Sequence, residues 1–243
     1  MRIDRIIAQR GEYSRKIANK MVRRGRVEVE GVPCTNPKSH FPENAYVCID
    51  GYELPQKVRI YLYHKPPGVL SATDDSMGRP CVGDVLPVHH HLVGRLDMET
   101  RGLLLLSMDG QLTQTLLHPK REIEREYCAW VEGEPQDSLI ETLRVGVQTS
   151  LGLATAKVLS IEGNCVRLVV TEGRNRIVRR MLHNAGHSVL DLMRVRFGPI
   201  KLGDIEEGMM RPISVKEEEH LDIFIQELSI HKKTSISKEE KES

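Results

Sequence analysis

The sequence predicts an α+β protein in which a mixed or antiparallel sheet with flanking helices follows a small α/β domain. Strand-like segments dominate after residue 60 and do not alternate regularly with helical ones, which argues against a βαβ repeat. The chain has 243 residues, 40% of them hydrophobic, enough for one medium and one small core. We expect the small domain at 1–51, a polar linker at 52–59, the large domain at 60–229 and a disordered tail at 230–243.

The small domain is expected to contain two short helices followed by short strands. An apolar stripe over residues 3–7 predicts the first helix. Ser14 is a favourable N-cap for the second helix, and Gly25 can end it. Alternating apolar residues then predict strands at 27–29 and 47–49, each followed by a glycine-containing turn.

The predicted second helix has one basic and one apolar face. At about 100° per residue, its basic side chains fall within one half of the helical wheel, and Ile17 and its apolar neighbours occupy the other half. The basic residues are Arg15, Lys16, Lys20, Arg23 and Arg24. Residues 1–40 carry ten Lys and Arg against four Asp and Glu, and residues 170–201 carry seven against two. On a chain of net charge +1, two such regions indicate a polyanion bound at two places, with solvated helix faces as the alternative.

The large domain is expected to open with a strand at 60–63, which the Lys-Pro-Pro-Gly turn at 65–68 ends. A continuously apolar run at 103–106 predicts a buried strand. The remaining expected strands are 124–131, 154–161, 165–171 and 189–197, and the expected helices are 111–117, 135–143, 175–185 and 214–227.

Three segments of the large domain carry residues suited to chemistry. Asp97 lies in a Gly-Arg-Leu-Asp loop before the buried strand, where an isolated aspartate is as often a turn residue as a catalyst. Tyr127 lies on a predicted strand and faces the same side as Ala129 and Val131. On the predicted helix at 175–185, three arginines cluster and require an anionic partner, either a phosphodiester backbone or a buried carboxylate. These arginines are Arg176, Arg179 and Arg180.

The small domain resembles a known RNA-binding module. The matching residues are Arg2-Ile3-Asp4, Gly11, Ser14-Arg15, Ala18 and the run from Gly25 to Gly31. This pattern is similar to the small domain shared by a small-subunit ribosomal protein, tyrosyl-tRNA synthetases and RNA-modifying enzymes. The resemblance implies contact with structured RNA through the basic second helix.

A second set of motifs extends through the large domain. It comprises Lys65-Pro66-Pro67-Gly68, the Gly94–Asp97 loop with Thr100 and Gly102–Leu105, Asp109-Gly110, His118-Pro119, Arg125–Tyr127, Glu172–Arg176 and Val178–Met181. Their order and spacing resemble the ribosomal RNA pseudouridine synthases of the RsuA type. The resemblance implies a pseudouridine-synthase fold and a bacterial-type isomerase that acts on one uridine of ribosomal RNA. The form Glu-Gly-Arg-Asn-Arg looks more like the large-subunit enzymes than the small-subunit ones.

The resemblance also implies roles for individual residues. Asp97 would be the essential carboxylate, Arg179 would pair with it and keep it ionised, and Tyr127 would stack on the target uracil near its C5 proton. Arg95 would help to hold the base out of its helix. Further RNA contacts are expected from Arg174, Arg176 and Arg180.

The reaction implied by the resemblance breaks the N1–C1′ bond of uridine and joins C5 to C1′, so we expect no cofactor and no metal. An ionised Asp97 can attack C1′ or C6, or abstract a sugar proton, and an arginine in contact keeps a buried aspartate charged. Removing the base from its stack costs on the order of a few kcal/mol. The three adjacent histidines at 89–91 do not converge easily on one ion.

Three alternatives stay open at this point: a small-subunit rRNA target, a non-catalytic rRNA-binding assembly factor, and a metal-dependent hydrolase that uses Asp97 with Glu99. The joint presence of Asp97, Tyr127 and Arg179 favours the isomerase. We expect a cytoplasmic monomer that acts on ribosomal RNA, either naked or in a ribosome-assembly particle. No membrane segment is expected, because no apolar run approaches the ~20 residues that span a bilayer.

Overall fold

The structure, a computed structural model, divides into two compact units, Met1–Val58 and Arg59–Ser243. The ranges that it describes are 1–11, 13–42, 45–55 and 58–239, with side chains as far as 228. Each unit has its own apolar core, as the two predicted domains require.

The first unit combines two helices with a small antiparallel sheet. Its elements are α1 (Ile3–Arg10), α2 (Arg15–Arg23), β1 (Val27–Val29), β2 (Val32–Cys34), β3 (Val47–Ile49) and β4 (Tyr52–Glu53). The strand order is β2-β1-β3-β4. Glu30 and Gly31 both have positive φ angles, 50° and 75°, as a tight turn between β1 and β2 requires. Ile3, Ile7 and Val22 are fully buried in the core between helices and sheet.

The caps of α2 are those that the sequence predicts. The Ser14 hydroxyl accepts a hydrogen bond from the Ile17 N–H, and Gly25 with φ of +69° follows the end of the helix. The buried face consists of Ala18, Met21 and Val22. Ile17 was expected on this face, but it is 48% exposed. It lies at the margin of the apolar half, beside Arg24 on the helical wheel, so the contact with the core does not reach it.

The second unit is built on a mixed sheet with helices on both faces. Its helices are α3 (Gly110–Leu117), α4 (Ser138–Val145), α5 (Ile177–Asn184) and α6 (Val215–Glu239). Its strands are β5 (Ile60–Lys65), β6 (His91–Val93), β7 (Arg101–Ser107), β8 (Arg125–Val131), β9 (Val147–Thr149), β10 (Gly152–Ala154), β11 (Lys157–Glu162), β12 (Cys165–Val170), β13 (Val189–Phe197), β14 (Ile200–Lys201) and β15 (Met210–Pro212).

The main sheet has the strand order β11-β12-β8-β13-β7-β5-β15, with β14 beside β13 and β6 beside β7. Within the described residues its pairs are antiparallel except β13 with β7, which is parallel. Strands β9 and β10 form a separate hairpin. The predicted α+β class with a mixed sheet is confirmed.

The leucine run of β7 shows why both faces of this sheet are covered. Leu104 and Leu106 lie in the core cluster that includes α4 and α5, whereas Leu103 and Leu105 lie in the cluster that includes α3 and α6. All four side chains are buried. A strand with both faces covered reads as a continuous apolar run rather than an alternating one.

Some predicted boundaries are wrong, for local reasons. Tyr52–Glu53 pairs with β3, so the linker predicted from residue 52 begins too early; its residues 56 and 57 lie outside the described residues. The single strand predicted at 154–161 is divided between β10 and β11, which belong to different sheets.

Two helices have bounds that differ from the predicted ones. Arg176 has a left-handed φ of +53° and is the N-cap, so α5 begins at Ile177 rather than at residue 175. Helix α6 continues to Glu239, although disorder was predicted from residue 230. The segment after Pro212 contains neither glycine nor proline and is rich in Lys and Glu, which propagate a helix. The rest of the predicted tail, 240–243, lies outside the described residues.

Candidate active site

A cleft of about 1340 Å³ in the second unit contains the main residues predicted for chemistry. Asp97 and Tyr127 both line it, and so do Arg95, Arg174 and Arg176. The cleft is therefore where the sequence-distant motifs of the large domain meet.

The loop that carries Asp97 is tied to its surroundings through its backbone. Gly94, with a φ of +77°, turns the chain after β6. The Leu96 N–H donates to the Ser71 hydroxyl at 3.0 Å, and that hydroxyl donates to the Leu96 carbonyl at 2.7 Å. The Asp97 carbonyl accepts from the Thr100 N–H at 3.0 Å just before β7 begins. These bonds leave the half-buried Asp97 carboxylate free to face the cleft.

A buried lysine lies beneath this loop. Lys65, at the end of β5, is fully buried, and its Nζ donates to the carbonyls of Pro66 at 2.7 Å and Met98 at 3.3 Å. Burial lowers the pKa of Lys65 to about 8, against the attraction of Asp97 and Glu99. The sequence marks the 65–68 turn as a motif but does not identify Lys65 as a site residue. The signal that could have identified it is the position of a lysine at the end of a largely apolar strand segment, which indicates a buried cation.

Arg179 does not form the predicted ion pair with Asp97 in this structure. Its guanidinium donates to the carbonyl of Glu99 and to that of Val189, both at 3.2 Å, and the ion pairs within the described ranges do not join it to Asp97. Burial lowers the pKa of Arg179, as does the nearby Arg176, while Glu99 and Asp97 raise it. One donor therefore contacts the backbone of the 97–100 turn and another contacts Val189, while Arg179 Nε is buried and has no hydrogen-bond partner among the described residues.

Tyr127 enters the cleft from the middle of the sheet. It lies on β8, opposite Leu168 of β12 and Arg194 of β13. Its side chain is buried on the same face as Ala129 and Val131, which confirms the predicted orientation of the strand. Because Tyr127 and Asp97 line one cleft, a base that stacks on the ring would lie within the space that the carboxylate faces.

The arginines predicted to contact RNA differ in their surroundings. Arg95 is exposed at the rim of the cleft. Arg174 forms an ion pair with Glu172 and donates to the carbonyls of Leu151 and Leu153, so it also fastens the β9–β10 hairpin.

Arg176, the N-cap of α5, and Arg180, within this helix, also have local partners. Arg176 forms an ion pair with Glu99 at 2.8 Å. Arg180 donates to the Asn175 carbonyl at 3.1 Å and to the Ser150 hydroxyl at 2.8 Å. Arg180 and Arg179 do not line the cleft, so only part of the predicted arginine cluster is brought together there.

Four of the five predicted basic residues lie on α2 and the fifth, Arg24, is its C-cap; all five are exposed. Arg15 lies 3.7 Å from the buried Asp4 carboxylate, and Arg23 donates to Asn19 at 2.9 Å. Together they form the exposed basic face that the sequence predicts.

Two buried arginines of the cleft were missed as site residues. Arg125 and Arg194 both line the cleft, and only Arg125 belongs to one of the motifs found in the sequence. Arg125 lies two residues before Tyr127 on a strand, and this spacing places it on the same face.

The described residues contain no group of three or more His, Cys, Asp or Glu side chains that could hold a metal ion. Glu99, the second ligand considered for a hydrolase, is paired with Arg176. No helix in the described ranges is long and apolar enough to cross a membrane.

Comparison with known proteins agrees with this geometry. The RNA pseudouridylate synthase family profile matches residues 59–184, and the S4 domain profile matches residues 1–45. The chain is 38% identical to an uncharacterised RNA pseudouridine synthase of Mycobacterium tuberculosis (strain H37Rv), over 89% of this chain and 91% of that protein.

Two further similarities extend over most of the chain. It is 34% identical to ribosomal large subunit pseudouridine synthase B of Bacillus subtilis (strain 168), over 90% of this chain and 95% of that protein. A crystal structure of a pseudouridylate synthase superposes with a TM-score of 0.63 at 26% identity, covering 91% of this chain and 99% of that one. The chain therefore belongs to the RNA pseudouridylate synthase family and carries an N-terminal S4 domain.

Proposed function

We propose that this enzyme converts one uridine of large-subunit ribosomal RNA to pseudouridine, with Asp97 as the catalytic carboxylate. The observation that carries the proposal is the meeting of Asp97 and Tyr127 in one cleft of a chain from this family. The choice of the large subunit rests on relatives named ribosomal large subunit pseudouridine synthase B, which are 34% to 37% identical to this chain.

In the proposed mechanism, the target uridine leaves its stack and enters the cleft. Tyr127 stacks on the uracil ring, and Arg95 at the rim occupies part of the space that the base has left. Asp97 then starts the reaction at C1′, at C6 or at a sugar proton, and C5 joins C1′. The C5 proton leaves last, and the Tyr127 hydroxyl would assist its removal.

Arg179 has a positioning role in this proposal. It holds the Glu99 carbonyl and, together with the buried Lys65, places positive charge near Asp97. The predicted direct pair of Arg179 with Asp97 would require the guanidinium to exchange a backbone contact for the carboxylate when RNA binds.

RNA binding is assigned to two surfaces. The basic face of α2 would contact phosphates of structured RNA, and Arg174, Arg176 and Arg180 would contact the RNA around the target site. We propose that the enzyme acts as a cytoplasmic monomer, on free rRNA or on a ribosome-assembly particle.

The subunit assignment is tested by measuring pseudouridine in purified large-subunit and small-subunit rRNA from cells that lack this protein. Nucleoside mass spectrometry should show one pseudouridine fewer in the large-subunit RNA, and the wild-type gene should restore it. A loss confined to small-subunit RNA would contradict the assignment and leave the family chemistry intact.

A further inference from the structure

Two buried arginines in the wall of the cleft lie close to the same aromatic ring. Arg125 is 9% exposed and Arg194 is 3% exposed. Their guanidinium carbons lie 5.2 Å and 5.1 Å from the centroid of the Phe197 ring. At these distances each guanidinium interacts favourably with the π-electrons of the ring.

A bulge in β13 creates this arrangement. Arg194 is opposite Tyr127, but Phe197 is opposite Arg125, and the register shifts between Arg194 and Arg196. The four residues 194–197 of β13 therefore correspond to only three residues of β8. Residues three apart on a regular strand face opposite sides, and the extra residue puts both on one side. Gly102 of β7 allows the close approach, because a Cβ there would lie 2.3 Å from the Arg194 carbonyl oxygen.

Neither arginine forms an ion pair in the described part of the chain, although Glu172 attracts Arg125 from a greater distance. Arg125 Nη1 donates to the carbonyls of Ile123 at 2.8 Å and Thr171 at 3.2 Å, and Arg194 Nε donates to the carbonyl of Leu103 at 2.8 Å. Arg194 Nη2 is buried and has no hydrogen-bond partner among the described residues. Burying a cation that has no ion-pair partner costs free energy. This cost favours an anion that comes from outside the protein.

The position of Arg125 and Arg194 indicates which anionic group of the RNA they would bind. A phosphodiester lies on the outside of the RNA strand, whereas Arg194 is directly across from Tyr127, the residue proposed to stack on the uracil. The group that would come closest to Arg194 is the flipped base itself.

The chemistry places negative charge on that base by each route open to Asp97. If Asp97 attacks C1′, the N1–C1′ bond breaks and its electron pair moves onto the ring, shared by N1, O2 and O4. If Asp97 removes the C2′ proton, a C1′–C2′ double bond forms and the same N1–C1′ pair moves to the ring. If Asp97 adds to C6, the C5–C6 π pair moves through C4 to O4.

We propose that Arg194, supported by Arg125, binds the negative charge that develops on the uracil ring during the reaction. This inference rests on the proposed function of the cleft. A pre-positioned donor that meets charge formed in the transition state accelerates the chemical step more than it strengthens binding.

The test compares wild type, Arg194→Met and Arg194→Lys in single-turnover reactions with RNA containing uridine or 5-fluorouridine at the target position. The readout is loss of the parent nucleoside from nuclease digests, and RNA affinity is measured separately. Fluorine at C5 withdraws electrons and stabilises the ring anion, so the reaction should depend less on the guanidinium. Arg167→Met is the matched control, because Arg167 is exposed on the other side of the sheet and paired with Glu126.

We expect Arg194→Met to slow the uridine reaction by about 10²-fold, the loss typical of removing one donor to a developing anion. RNA affinity should be unchanged, the defect should be smaller with 5-fluorouridine, and Arg194→Lys should recover part of the rate. Thermal unfolding confirms that each variant is folded. Equal defects with both substrates, or weaker RNA binding with an unchanged rate, would overturn the inference. Failure of the wild type on both substrates would instead overturn the proposed function and the inference with it.

Discussion

At the scale of single residues, three buried cations lie at or near the cleft that Asp97 lines. Lys65 lies under the Asp97 loop, and Arg125 and Arg194 lie behind Tyr127. Each of these cations donates to backbone carbonyls within the described residues. Such groups are costly to bury, and sites where proteins accept this cost are often functional.

The depressed pKa of Lys65 predicts a dependence of stability on pH. Burial lowers this pKa to about 8 in the folded protein. Above that pH the folded protein loses the proton while the unfolded chain still binds it. The free energy of unfolding should therefore rise between about pH 8 and pH 10, by roughly 1–3 kcal/mol from this group. Urea unfolding of wild type and Lys65→Met across this window should show that the variant lacks the rise. Parallel pH profiles for the two proteins would exclude Lys65 as its source.

Tyr127 allows its two proposed roles to be separated. Tyr127→Phe keeps the ring that stacks on uracil, so RNA affinity should be unchanged. Loss of the hydroxyl should slow proton release from C5 by about 10²-fold, the lower range for loss of a general base. Tritium release from C5-labelled RNA measures this step, and Tyr127→Ala should lose affinity as well. Wild-type release by Tyr127→Phe would show that the hydroxyl takes no part.

At the scale of elements, helix α2 is proposed to bind RNA through its exposed basic side chains alone. Its buried face packs into the core of the first unit and its basic side chains are exposed. Replacing Lys20 and Arg23 by alanine should weaken RNA binding and leave the single-turnover rate at saturating enzyme unchanged. The slope of log affinity against log salt should decrease by about 0.7–0.9 for each RNA phosphate that the variant no longer neutralises. Lys38→Ala, which removes an exposed charge outside the helix, is the control; an equal effect there would contradict a specific role of α2.

The elements that the sequence predicts well are those with local signals. Ser14 and Gly25 determine the ends of α2, and the leucine run determines β7, because caps and apolar runs act within a few residues. The start of α5 was misplaced because Arg176 has a left-handed backbone, which a non-glycine residue rarely adopts and which no local pattern in the sequence marks.

The buried arginine site could not be predicted for the same reason. It depends on a bulge in β13 that brings Phe197 to the same face as Arg194, and no local pattern marks that bulge. Asp97 and Tyr127, in contrast, lie in recognisable motifs, so their meeting in one cleft was accessible from sequence resemblance.

At the scale of the whole molecule, the chain combines an S4 domain with a catalytic unit of the RNA pseudouridylate synthase family. The two basic segments of the sequence fall one in each unit, at 1–40 and 170–201. From this distribution we assign electrostatic attraction of RNA to both units. The chemical step is assigned to the cleft of the second unit.

The central claim is that Asp97 carries the chemistry, and the most direct test is tritium release from rRNA labelled at uracil C5, prepared from cells that lack this protein. Wild type and Asp97→Asn are compared, with Glu141→Gln, an exposed carboxylate of α4, as the matched control. We expect release by wild type and by Glu141→Gln, and none by Asp97→Asn, although the variant should bind RNA with wild-type affinity. Release by Asp97→Asn at the wild-type rate would contradict the claim.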